Sequence, residues 1–247
     1  MSAVEGSVAL VTGANRGVGM AIVEELLSRG ASRVYAGVRD PDESAPPGAQ
    51  RVQLDITDRA QVAAAAALCG DVTLLVNNAG YFANSRLVVT DDDDAARREM
   101  DVNYFGTLNM TRAFAPVLGR NGGGVIVNVL SVAAVVPAAF MGGYSTSKSA
   151  AYYLSVITRA ELASQGTQVT ALVLGSVDTR MAAHVEGNKA SPRDIARIGL
   201  DGVEAGATTV ATDKMAIDSM AAHRSDPEGF ERQLAKLLHV TTLRAPK

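Results

Sequence analysis

The chain has 247 residues, 47% hydrophobic and 20% charged, which is enough to bury a substantial core and excludes disorder as its main state. Its 23 basic and 26 acidic side chains leave a net charge of −3, and no block of Lys and Arg marks a nucleic-acid or anionic-membrane surface. A lone Cys69 allows neither an intramolecular disulfide nor a CxxC pair, which points to the cytoplasm. Met1 to Gly6 has no basic leader character, and Val8 to Thr12 is too short an apolar run for a signal or membrane helix, so an untargeted soluble protein is expected. Without a secretory signal, the sequon Asn109-Met-Thr reads as accidental.

Short Val- and Leu-rich runs alternate with helical stretches, the pattern of parallel strands buried on both faces. In chain order, a strand at Ser7 to Thr12 precedes a helix at Gly17 to Arg29, and strands at Arg33 to Val38 and Gln50 to Leu54 precede one at Asp58 to Cys69. A strand at Thr73 to Asn77 leads to a helix at Asp92 to Val117, and one at Gly124 to Val129 to a helix at Tyr144 to Gln165. Strands at Gln168 to Leu174 and Thr209 to Thr212 then bracket a helix at Ser191 to Ala205, and a last helix runs from Asp226 to Leu238. The expectation is an α/β fold: one Rossmann-type, doubly wound, seven-stranded parallel sheet with helices on both faces, forming a single domain over 1–247. Two irregular segments, Ser131 to Gly143 and Gly175 to Ala190, follow strands and so border any ligand cleft. The acidic run Asp91 to Asp94 is expected to cap a helix N-terminus, and no metal site is expected.

After the first strand, Thr12-Gly13-Ala14-Asn15-Arg16-Gly17-Val18-Gly19 runs straight into an amphipathic helix. Glycines let the backbone approach a pyrophosphate, and the helix N-terminus supplies free N–H donors and a positive dipole. The Gly-x-x-x-Gly-x-Gly spacing resembles that of the classical short-chain dehydrogenases/reductases. The resemblance extends over nearly the whole chain through Asn77-Asn78-Ala79-Gly80, Asn103, Ser131 and Tyr144-Ser-Thr-Ser-Lys148, in that family's order. It implies that the Asn-Asn-Ala-Gly turn supports the sheet beside the cofactor and that Asp55 lies near the adenine. From the residues alone, Asp55 serves equally well as a helix cap with Thr57 and Asp58. The implied cofactor set is Gly13, Asn15, Arg16, Gly17, Val18, Gly19, Arg39, Asp55, Ile56, Asn78, Ala79, Gly80, Tyr144, Lys148, Gly175, Val177 and Thr179.

Charge at the end of the second strand bears on which dinucleotide binds. A carboxylate there would accept from a ribose 2′-hydroxyl, whereas a 2′-phosphate needs cations. Val38 is followed by Arg39, and Arg16 lies in the glycine-rich loop, an arrangement that resembles the family's NADPH type. Asp40 is the contrary feature and is expected to face solvent with the Pro41-Asp42-Glu43 turn.

Tyr144 and Lys148 are four apart on a predicted helix, so they share a face, and the ammonium is expected to lower the tyrosine pKa. The resemblance implies that Tyr144 protonates a carbonyl oxygen as hydride arrives from the nicotinamide, and that Ser131 orients that oxygen. It also implies that Lys148 holds the nicotinamide ribose and that Asn103 binds a water linking Lys148 to solvent. A hydrolase is disfavoured by the absence of a G-x-S-x-G elbow, and His223 and His239 read as surface residues.

The apolar stretch Val132 to Met141 is expected to form one substrate wall through Ala133, Val135, Phe140 and Met141, with ordinary packing an equal reading for any one of them. Met181 and His184, on a lid at about 175–190, form the other. Leu174-Gly175 stands where many family members have Pro-Gly, and the family's C-terminal Gly-Gly ending is missing. The expected function is reduction of a small or medium apolar ketone or aldehyde by NADPH, reversible to alcohol oxidation, by a homodimer or homotetramer paired through the Tyr144 and Asp92 helices. Alternatives are an NAD-linked alcohol or hydroxysteroid-type dehydrogenase and a non-catalytic dinucleotide-sensing regulator.

Overall fold

The computed structural model describes residues 2–240. Among them, seven strands form one parallel sheet in the order β3-β2-β1-β4-β5-β6-β7. These are β1 (Val8–Thr12), β2 (Arg33–Val38), β3 (Gln50–Gln53), β4 (Leu74–Asn77), β5 (Val125–Ser131), β6 (Gln168–Leu174) and β7 (Thr209–Ala211). The helices are α1 (Gly17–Ser28), α2 (Arg59–Leu68), α3 (Ala95–Met100), α4 (Thr107–Arg120), α5 (Gly142–Glu161), α6 (Pro192–Glu204), α7 (Lys214–Ser225) and α8 (Pro227–Val240).

Side chains alternate across the strands, so each strand feeds two cores. Ala9, Val11, Leu74 and Val76 point to one face, where Ile22 and Leu26 of α1 and Ile195 and Leu200 of α6 cover them. Leu10, Leu75 and Ile126 point to the other, under Val62 of α2 and Met110, Phe114 and Leu118 of α4. Ala151 of α5 packs with Leu130 and Ala171 farther along the same sheet. Strand order runs outward from β1 in one direction and from β4 in the other, so the crevice at their carboxyl ends is a switch point where ligands bind.

Three elements differ from expectation. The helix expected over Asp92 to Val117 is broken into α3, a π-helical turn at Asp101–Gly106, and α4, which continues to Arg120. The widened turn brings Gly106 against Ile56, where a Cβ would lie 2.6 Å from that side chain's Cδ1. Asp94, at the start of α3, makes no side-chain cap bond; the Asp92 carboxylate instead faces the Asp94 and Ala95 N–H groups and pairs with Arg98. α7 is absent from the sequence expectation because its hydrophobic residues do not form a stripe: Ala216 is buried while Met215 and Ile217 are 45% and 54% exposed. Its start is fixed by Asp213, which accepts from the Ala216 N–H at 3.0 Å. His223 is half-buried, edge-on to Phe230, while the side chain of His239 lies outside the described residues. No described helix is long and apolar enough to cross a membrane.

Candidate active site

A cleft of about 750 Å³ opens at the carboxyl ends of β1, β4, β5 and β6. The glycine-rich turn forms its floor. Gly13 has a positive φ of 63°, and a Cβ on Gly19 would sit 2.3 Å from the Gly13 carbonyl, so α1 approaches the strand only because both are glycine. No side chain caps α1, which leaves its first amides directed at the cleft. Asn78 Nδ2 donates to the carbonyls of Thr12 and Gly13, at 2.9 and 3.1 Å, and so ties the end of β4 to that turn. Every residue of the expected cofactor set lines this cleft.

β5 and the start of α5 supply the polar centre. Ser131 ends β5, its Oγ accepting from the Ala133 N–H, and its hydroxyl engages the phenol of Tyr144. Lys148 lies one turn along α5 and sends its ammonium to the Val129 carbonyl at 3.0 Å, with Nζ 5.8 Å from the Tyr144 ring centre. The expected lowering of the tyrosine pKa is not what these surroundings produce. Burial pushes Tyr144 up to about 12, the Ser131 hydrogen bond acting against it and the nearby Glu99 charge adding to it. Burial likewise brings Lys148 down to about 8. At pH 7 both groups therefore hold their protons.

Asn103 sits in the π-helical turn, 1% exposed, and does not line the cleft. Its Oδ1 accepts from the Tyr81 N–H at 2.8 Å, and its Nδ2 donates to the Tyr81 carbonyl and to Ser147 Oγ, both at 2.9 Å. One turn earlier, fully buried Glu99 accepts from the Ala83 N–H at 2.8 Å, while its Oε2 has no hydrogen-bond partner among the described residues. Asn103 and Glu99 thus clamp the segment after β4 from one helical face. That segment places Phe82 edge-on to Tyr144, ring centres 5.0 Å apart, and 5.6 Å from His184.

Of the expected substrate residues, Met141, Met181 and His184 line the cleft. Ala133, Val135 and Phe140 do not. Ala133 is 1% exposed beneath Tyr144 and Ala138, where Phe140 also packs. Val135 turns to the Leu130, Ala151 and Tyr152 cluster because a short 3-10 turn at Val132–Ala134 swings it away. The segment 175–190 leaves β6 with the Gly175 N–H held by Asp213 at 2.6 Å, and it is closed on itself by a bridge between Val177 and Ala190.

Sequence reasoning missed Phe82, Glu43 and Glu99. Phe82 was within reach of inference, standing two residues past the Asn-Asn-Ala-Gly turn at a strand's carboxyl end. Asp40, as expected, is exposed, its carboxylate accepting from the Asp42 N–H, but Glu43 turns into the cleft, accepting from Asn15 Nδ2 at 2.5 Å.

Residues 7–190 match the family model described as short chain dehydrogenase. A short chain dehydrogenase from Burkholderia cenocepacia, solved in complex with NADP, is 42% identical and superposes with a TM-score of 0.90 over 95% of this chain and 99% of that one. Among curated relatives, the short chain dehydrogenase tazN of Aspergillus terreus is 34% identical over 64% of this chain, and the match spans only 38% of that protein. The NADPH-dependent 1-acyldihydroxyacetone phosphate reductase of Schizosaccharomyces pombe is also 34% identical, over 70% of this chain and 60% of its own length. This chain belongs to the short-chain dehydrogenase family, a class of nicotinamide-dependent oxidoreductases.

Proposed function

We propose that the protein is an NADP(H)-dependent carbonyl reductase acting on a small or medium apolar ketone or aldehyde, and reversible to alcohol oxidation. The observation that carries this reading is the convergence of Ser131, Tyr144 and Lys148 on the cleft that the glycine-rich turn floors. The residues present fit the dinucleotide: Gly13 and Gly17 hold positive φ in the turn, Gly19 has no room for a Cβ, the α1 amides carry no side-chain cap, and Arg16 and Arg39 line the cleft. The NADP complex of the 42%-identical relative supports the same cofactor.

Bound there, the nicotinamide supplies hydride to the carbonyl carbon. Tyr144 remains protonated at neutral pH and donates its proton to the carbonyl oxygen, while the Ser131 hydroxyl hydrogen-bonds that oxygen and orients it. The Lys148 ammonium offsets the charge left on the phenolate and would be the residue that holds the nicotinamide ribose. Phe82, Met141 and Met181 give the substrate side its apolar character. The regulator reading is disfavoured because Asn103, Ser131, Tyr144 and Lys148 are all present. Assembly is proposed through α4, the π-helical turn that leads into it, and α5: Phe105 of the turn and Tyr153 and Ile157 of α5 are 47%, 67% and 53% exposed.

The test is initial-rate oxidation of NADPH and NADH against aliphatic, aryl and alicyclic ketones, with Tyr144→Phe as control. Turnover with NADPH that falls by about two to four orders of magnitude in the variant is expected, with cofactor affinity retained. Near-normal turnover in Tyr144→Phe defeats the assignment.

A further inference from the structure

We propose that Glu43 tempers the protein's discrimination between NADPH and NADH by occupying Arg16, one of the two cations that a 2′-phosphate would otherwise use; the inference rests on the cofactor site proposed above. Glu43 is the acidic residue that reaches the glycine-rich turn from the β2–β3 connection. One carboxylate oxygen accepts from Asn15 Nδ2 at 2.5 Å, and the other lies 3.7 Å from the Arg16 guanidinium.

The position is built by the loop. Arg51 of β3 donates to the carbonyl oxygens of Asp40, Pro41 and Glu43, at 3.2, 2.8 and 3.1 Å. It engages backbone only and makes no ion pair among the described residues, so the Glu43 charge is left for Arg16. Asp40 directs its carboxylate into its own turn. Arg39 follows β2 and lines the same cleft with no described ion pair.

The net charge near this end of the cleft then decides between the two ligands. Arg16 and Arg39 together suit a phosphomonoester of charge about −1.5 to −2, but a carboxylate held on Arg16 removes one of those positive charges and repels the phosphate. The same carboxylate is an acceptor for a neutral ribose hydroxyl. Glu43 therefore works against NADPH and leaves NADH untouched or slightly favoured. The chain carries both the cations that select the phosphate and the counter-charge that tempers the selection.

The measurement is fluorescence titration of NADPH and NADH into wild-type protein and Glu43→Gln at low ionic strength. The amide keeps an acceptor for Asn15 and loses only the charge. The ratio Kd(NADH)/Kd(NADPH) is expected to rise about three- to tenfold, through tighter NADPH, and the gain to shrink in high salt. A rise of less than threefold, a fall, or equal changes for both nucleotides would overturn the proposal. Wild-type protein that binds NADH more tightly than NADPH would overturn the cofactor preference instead, and the change in ratio would still decide the role of Glu43.

Discussion

Lys148 donates to the carbonyl oxygen of Val129 across 3.0 Å, two residues before β5 ends at Ser131. This bond holds a buried ammonium at the junction of strand and cleft, and its burial brings the lysine down to about 8.

Such a group costs stability when charged. The folded protein loses the Lys148 proton near pH 8 and the unfolded chain keeps it to about 10.5, so between these values the unfolded state binds more protons and stability rises with pH. Lys148→Met is expected to raise stability at pH 7 by about 1 to 3 kcal/mol while abolishing turnover, with the gain vanishing above pH 10. Thermal unfolding at pH 7 and pH 10 checks it, and a variant less stable than wild type at pH 7 refutes it.

Phe82→Ala removes the ring that stands edge-on to Tyr144. The same ring lines the cleft, and a substrate ring packed on it would gain about 0.5 to 1.5 kcal/mol, so KM for an aryl or alicyclic ketone should rise about two- to tenfold. NADPH affinity should stay within twofold; steady-state kinetics beside a cofactor titration separates the two effects.

Asn128 is the middle of a buried polar chain. It accepts from Asn77 Nδ2 and donates to Ser155 Oγ, both at 2.8 Å, and so couples β4, β5 and α5 beneath the site. Asn128→Ala leaves an amide and a hydroxyl without this partner, and should cost about 2 to 3 kcal/mol in denaturant unfolding. An unchanged midpoint would show that the chain re-pairs.

The outer face of α5 carries Tyr153 and Ile157 in the open, beside Tyr104 and Leu108. Replacing both exposed residues, Tyr153→Lys with Ile157→Glu, is expected to yield monomers in light scattering if this face pairs copies of the chain. Assembly unaffected by the double change would place the interface elsewhere.

The sheet was legible because its signal is local: Ala9-Leu10-Val11 and Leu74-Leu75-Val76 are apolar on both faces, as parallel strands must be. The glycine-rich turn was legible for a similar reason, its residues being contiguous. Glu99 was not, since Arg97-Arg98-Glu99 reads as a solvated charged stretch until α3 packs against α5 and buries one of the three. The electrostatics of Tyr144 and Lys148 also escaped the spacing rule. Four residues along a helix fix a shared face, but not that the ammonium would turn to the Val129 carbonyl or that burial would outweigh it. α7 lacked a hydrophobic stripe, and only its Asp213 cap announced it.

The bridge between Val177 and Ala190 joins both ends of the segment after β6, with the Asp178 N–H donating to the Ala190 carbonyl at 2.9 Å and the Ala190 N–H to the Ser176 carbonyl at 2.8 Å. What lies between is a cartridge clipped at its base. Doubling the length of such a loop adds only about 0.6 kcal/mol of closure entropy. Insertions and exchanges in 179–189 can therefore accumulate through evolution, or be grafted deliberately, and reshape one wall of the cleft while Ser131, Tyr144 and Lys148 stay in register.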